Sequence, residues 1–207
     1  MSLYDRILGL PIVYDHIRPA FLGGLDMSPV YDRLDARPTD VVLDVGCGTG
    51  IALEYLTKFG RYVGVDADPV AIEGAKRKPR AAEPNVEFRH QLLTRREVAE
   101  IKPDVVVFGS LLHHLDDATA VDLYRTVATS PRLRRVVSLD ITFVPDHTFN
   151  NILTVLDRGQ YPRRPSGYVA LAKEAGMNVR EEVLVPNKKG GQRIKYFVMV
   201  AEPPAAS

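Results

Sequence analysis

The run Val42-Leu43-Asp44-Val45-Gly46-Cys47-Gly48-Thr49-Gly50, with Val63-Gly64-Val65-Asp66 soon after it, constrains this chain more than any other segment. Val41 to Val45 is short, apolar and mostly β-branched, the character of a buried parallel strand. Gly46, Gly48 and Gly50 lack a Cβ, which permits a tight turn and close backbone approach to a ligand. Ile51, Leu53, Tyr55 and Leu56 have helical spacing, so a helix is predicted over 50–59. Asp66 stands about twenty residues past the first glycine, where nucleotide-binding folds present an acid to a ribose hydroxyl. The pattern reads as a nucleoside-cofactor site; the bland alternative is an ordinary strand-to-helix turn.

A dinucleotide fingerprint needs its third glycine three positions after the second, for helix–strand packing. That position holds Ile51. The acid-x-Gly-x-Gly-x-Gly pattern instead resembles the first motif of the class I S-adenosylmethionine-dependent methyltransferases, whose cofactor has no pyrophosphate. The resemblance implies that Asp44 orders the methionine ammonium of S-adenosylmethionine, and that Gly46, Cys47, Gly48 and Gly50 line it. It further implies that Asp66 meets the ribose and that Ala67 beside it belongs to the cofactor site. Where the family often has an acid for the adenine amino group, this chain offers Gln91, whose amide oxygen can do the same job, followed by Leu92. Gly109 and Ser110 would line the cofactor at the end of the fourth strand.

Strands are predicted at 41–45, 62–66, 86–89, 104–108, 135–141, 179–185 and 194–201, and helices at 50–59, 69–77, 95–100, 118–129, 148–157 and 166–175. Asp68 followed by Pro69 is a strong helix start, with the acid as cap and proline at the first helical position. The alternation means an α/β fold, a doubly wound and mostly parallel seven-stranded sheet with helices on both faces. The last two strands are joined by a loop too short for a parallel crossover, so the sheet closes with an antiparallel C-terminal hairpin. This arrangement again resembles the class I methyltransferase fold, over nearly all of residues 40–201. Residues 1–38 read as an N-terminal helical cap broken by prolines, and 39–207 as the main domain with a lid insert at about 144–165.

Composition excludes several classes. With 207 residues, 45% hydrophobic and a formal net charge of +1, the chain is one soluble globular domain without general attraction for nucleic acid or membrane. No basic stripe with interleaved aromatics is present, so nucleic acid is not the expected partner. The single cysteine, Cys47, rules out an intramolecular disulfide. No secretory leader or membrane-length apolar run occurs, and a cytoplasmic location is expected.

The fourth strand leads into Leu111-Leu112-His113-His114-Leu115-Asp116-Asp117. Small-molecule members of the family often carry such a Leu-His-His-Leu turn near the transferable methyl. His114 is the candidate general base, with a pocket-shaping histidine as the alternative, and His113 is the lesser catalytic candidate. Two adjacent histidines rarely share one ion and no His/Asp triad is visible nearby, so no metal is expected. Asp116 and Asp117 read as the start of the next helix. The N-terminal segment contributes Tyr4, Tyr14, His16, Arg18 and Tyr31, and the insert contributes Asn150, Arg158, Tyr161, Arg163 and Arg164. Of these, Tyr14, Arg18, Asn150, Arg158, Tyr161 and Arg163 are the candidate substrate contacts, the arginines suiting an anionic acceptor through bidentate hydrogen bonds. Solvated surface arginines are the alternative.

The leading expectation is transfer of a methyl group to oxygen or nitrogen of a small molecule. An NAD(P)-binding oxidoreductase is the first rival. A non-catalytic partner subunit of the same fold is the second, although that reading would predict lost glycines or a lost Asp66.

Overall fold

The computed structural model describes residues 26–157, 159–187 and 194–204. Seven strands form one sheet: β1 (Val41–Val45), β2 (Arg61–Asp66), β3 (Val86–His90), β4 (Val105–Gly109), β5 (Arg135–Ile141), β6 (Asn178–Pro186) and β7 (Lys195–Glu202). Their order is β3-β2-β1-β4-β5-β7-β6. β1 to β5 are mutually parallel, and β7 is antiparallel to both β5 and β6. Every strand lies within one residue at either end of its expected range. The expected mostly parallel sheet with its closing hairpin is therefore the observed one.

Strands need no local code beyond apolarity when both faces are covered. Val105, Val106, Val107 and Phe108 of β4 are fully buried, and each such side chain contributes about 1.5–3 kcal/mol relative to exposure. Alternation divides the core in two. Leu43, Val45, Val63, Val106 and Phe108 face α3 (Arg95–Ile101), α4 (Asp117–Val127) and α6 (Pro165–Glu174), through Val98, Tyr124 and Tyr168. Val42, Tyr62, Val105 and Val107 face α1 (Ser28–Leu34), through Val30 and Leu34. α2 (Pro69–Lys76) starts as expected, the Asp68 carboxylate accepting from the Val70 amide at 2.8 Å. Asp116 likewise caps α4 by accepting from Thr119 N at 2.8 Å. Between β5 and α6 lies α5 (Thr148–Val155). Among the described residues no helix is long and apolar enough to cross a membrane.

The helix expected over 50–59 is not formed. A single 3-10 turn, Ile51–Glu54, replaces it. The Arg80 guanidinium donates to the carbonyls of Leu53 and Leu56 at 2.7 and 2.6 Å, occupying acceptors that further helical turns would have used. The expected N-terminal cap is represented only by α1, because residues 1–25, with Tyr4, Tyr14, His16 and Arg18, lie outside the described residues. Arg158 and the hairpin tip at 188–193 lie outside them too.

Candidate cofactor and acceptor site

The order reverses between β1 and β4, so the carboxyl ends of these strands flank a crevice, the usual place for a ligand in an open α/β sheet. The loop leaving β1 is left-handed at Gly46, Gly48 and Gly50, with φ of 70°, 52° and 71°. A Cβ at Gly46 would stand 2.9 Å from Leu111 Cδ1, which packs the loop against the turn after β4. At Gly48 nothing lies within 4 Å of where a Cβ would stand, so the backbone is open to an approaching group. Gly46 and Cys47 donate their amides to the Val65 carbonyl at 2.8 and 3.1 Å.

Three polar side chains from β1, β2 and the end of β3 belong to this loop. Asp44 is 3% exposed, and its carboxylate accepts from the Tyr62 hydroxyl at 2.8 Å. Burial pushes its carboxyl up to about 7, with the Asp66 charge adding and the Tyr62 hydrogen bond opposing. Asp66 accepts from Gly48 N and Asp68 N, each at 2.8 Å, and so ties the glycine loop to the end of β2. Its carboxyl is also raised, chiefly by burial. The Ala67 carbonyl lies 3.1 Å from His90 Nε2. Gln91 is anchored through its amide to the Asp66 carbonyl at 3.0 Å. Its side-chain nitrogen is buried with no hydrogen-bond partner among the described residues, and Leu92 beside it is half-buried. A buried amide left unbonded costs about 1–3 kcal/mol, which a bound partner would recover.

Cys47 contributes backbone only. Its buried sulfur packs on Gly64, whose absent Cβ would stand 2.9 Å away. Burial and the charges of Asp44 and Asp66 push its thiol far up, so it stays protonated. Tyr31 of α1 stacks on Tyr55 with centroids 5.6 Å apart. Its phenol is raised by burial and by the Asp44 charge.

The β4 end is less relaxed. Ser110 has a φ of 58°, its amide donating to the Leu139 carbonyl at 2.7 Å. Met27 Cε fills the space over Gly109. His113 and His114 follow in a 3-10 turn, Leu112–His114, with ring centroids 4.1 Å apart. His114 is half-buried, whereas His113 is 1% exposed. His113 Nδ1 lies 2.7 Å from Asp140 Oδ1, which also accepts from the His113 amide at 3.1 Å. Burial raises the Asp140 carboxyl, against the amide bond from His113. On the other side of the ring, His113 Nε2 stands 3.3 Å from Asp157 Oδ1. A His/Asp triad of His113, His114 and Asp157 therefore exists, contrary to the expectation from local spacing. Asp157 comes from the distant insert, which spacing along the chain does not show.

Two expected acceptor contacts are corrected. Asn150 is buried, its amide donating to the Thr142 carbonyl and accepting from Lys195 N, both at 2.8 Å, so it joins α5 to the sheet. Arg163 donates to the carbonyls of Leu112, Tyr161 and Leu115 at 2.9, 2.9 and 2.7 Å, and to Asp117 at 2.9 and 2.6 Å. All five guanidinium N–H groups are thus committed to the protein. Arg163→Ala is expected to destabilise the chain by about 2–4 kcal/mol, because partly buried carbonyls lose their donors. Urea unfolding measures this, and Arg163→Lys should recover little of it, since an ammonium cannot fork to several acceptors. Tyr161 keeps its ring exposed at 39% while its amide donates to the His113 carbonyl at 3.0 Å.

Sequence reasoning missed Tyr62, Asp140 and Asp157. Asp140 carries a readable signal, an acid ending the apolar run Val136-Val137-Ser138-Leu139, as Asp44 does in β1.

Residues 42–132 match a family model described as a methyltransferase domain. The ubiquinone biosynthesis O-methyltransferase of Aeromonas salmonicida is 35% identical over 97 residues, 44% of this chain and 38% of that protein. The chain spans less than half the length of the curated relatives it matches. Among solved structures, the magnesium protoporphyrin IX methyltransferase of Synechocystis with bound SAH superposes with a TM-score of 0.65 at 17% identity, over 97% of this chain and 92% of that one. The pyocyanin biosynthetic protein PhzM gives 0.68 at 16% identity, over 98% of this chain and 62% of that one.

Proposed function

We propose that this chain, whose residues 42–132 match a methyltransferase domain, is a class I S-adenosylmethionine-dependent methyltransferase that transfers a methyl group to an oxygen or nitrogen of a small-molecule acceptor. The observation that carries the reading is a set of three polar side chains, buried Asp44, half-buried Asp66 and Gln91 with its buried side-chain nitrogen, around a left-handed glycine loop with open space above Gly48. These groups fit the donor. Asp44 offers an anion for its ammonium, Asp66 acceptor oxygens for its ribose hydroxyls, and Gln91 an amide for its adenine edge.

S-adenosylmethionine supplies an already activated methyl on a sulfonium, so the protein's task is alignment and removal of water. Tyr62 orients the Asp44 carboxylate. Leu111 packs against the loop at Gly46, and the Tyr31–Tyr55 stack lies near enough to Asp44 for its charge to raise the Tyr31 phenol. His114, half-buried beside the tethered His113, is the base for an acceptor that arrives protonated. Residues 144–165 act as the lid, and Tyr161 is the insert's exposed aromatic. An anionic acceptor group would meet Arg164, which lines a cavity of about 300 Å³ with Phe143, Val144, Pro145 and Asn151.

Calorimetry with S-adenosylmethionine and with NADH tests the donor, and incubation with a metabolite panel tests the transfer. The expected result is one bound S-adenosylmethionine, no bound NADH, and a product heavier by one methyl. Binding of NADH in its place would establish the oxidoreductase reading instead. Binding without transfer to any acceptor would favour the non-catalytic subunit.

A further inference from the structure

We propose that His113, His114 and Asp157 together hold one divalent transition-metal cation of the zinc, cobalt or iron(II) type. One ligand atom of each lies within 4.8 Å of the others. The two carboxylates beside His113 set the geometry. Asp140 Oδ1, 2.7 Å from Nδ1, holds one ring nitrogen, and the other, Nε2, faces Asp157. Nε2 and Asp157 Oδ1 are 3.3 Å apart, and both side chains are 1% exposed. Two ligands each about 2.0–2.1 Å from a tetrahedral ion lie about 3.3 Å apart.

The surroundings suit such an ion. A carboxylate behind a ligating imidazole fixes its tautomer and raises its basicity, which is the place Asp140 occupies. Its second oxygen is buried without a hydrogen-bond partner among the described residues. Two imidazoles and one carboxylate favour zinc-like metals over magnesium or calcium, which take oxygen ligands. The backbone on the insert side is fitted to the ring: a Cβ at Gly159 would stand 2.1 Å from His113 Cδ2. Holding the ion would therefore pin the insert to the turn after β4.

This site does not rest on the methyl-transfer reading, although it bears on it. Three protein ligands leave a fourth position open, and a hydroxyl bound there would lose its proton to solvent near neutral pH. His114 would then act as ligand, and no side chain would need to take the acceptor's proton.

The test uses the full chain without a histidine tag, stripped with chelator and titrated with Zn²⁺ by calorimetry and with Co²⁺ by visible absorption. One ion per chain is expected. Asp157→Asn and His114→Gln should each weaken it at least tenfold, and Asp140→Asn by about 10- to 100-fold. His147→Ala, an exposed histidine beside Lys195, should change nothing. Sub-stoichiometric binding by the natural chain overturns the proposal, and so does stoichiometric binding that Asp157→Asn leaves within twofold. Circular dichroism checks each fold; should Asp157→Asn not fold, half-exposed His114→Gln decides by the same criterion. S-adenosylmethionine affinity of the stripped protein separates the two readings. No metal site with normal donor binding removes only this inference.

Discussion

Asp66→Ala is expected to weaken S-adenosylmethionine binding by about 100- to 1,000-fold in calorimetry, the loss of roughly 3–4 kcal/mol of charge-assisted hydrogen bonding. The effect is large because the carboxylate serves two ends. One is the ribose assigned to it; the other is the loop, through Gly48 N and Asp68 N at 2.8 Å each. Removing it orphans two amides and releases the side chain that fastens the glycine turn to the end of β2. Asp66→Asn should lie between, because an amide accepts through one oxygen and offers an unwanted donor at the other position. Affinity within threefold of the natural chain for Asp66→Ala would remove Asp66 from the site.

What local sequence carries, it carries well. The run Val105 to Phe108 reads as a buried strand because a strand covered on both faces needs only apolar residues. The hairpin β6–β7 is legible because a short connection leaves no alternative to antiparallel pairing. Asp68 and Asp116 are legible because a cap acts on an amide two or three residues away. The failures share one physical cause, partners distant in the chain. Ile51 to Leu56 has helical spacing, but Arg80 reaches back to take its carbonyls. Arg163 and Asn150 look like ligand-binding side chains, and their acceptors are backbone carbonyls that no residue type reveals. His113 and His114 look like an isolated pair until Asp140 and Asp157 fold against them. The acid at 140 is readable from its own strand all the same, since a charged group in a buried apolar run is costly unless it is paired or used.

Asp44→Asn is expected to separate donor binding from stability, with opposite signs. In the natural chain the carboxyl titrates near 7 because it is buried, whereas in the unfolded chain it titrates at about 3.9. Between those values the folded state holds a proton that the unfolded state has released, so stability falls as pH rises from about 4 to about 7. Above 7 the whole cost is present. Each pH unit across that window is worth about 1.4 kcal/mol, which bounds the cost at about 4 kcal/mol. An asparagine keeps an oxygen for the Tyr62 hydroxyl and carries no charge, but its own amide must be desolvated. The ligand-free variant should therefore be about 1–2 kcal/mol more stable than the natural chain at pH 8, and indistinguishable from it at pH 4, in urea unfolding. Donor affinity should move the other way. The ionised carboxylate is what meets the ammonium, so natural affinity should fall by up to tenfold per pH unit as pH drops below 7. Asp44→Asn should bind at least tenfold more weakly at pH 8, with little dependence on pH between 5.5 and 7.5. A variant that loses stability at pH 8 while keeping affinity would show that Asp44 is a structural acid, and the ammonium would then have to be held elsewhere.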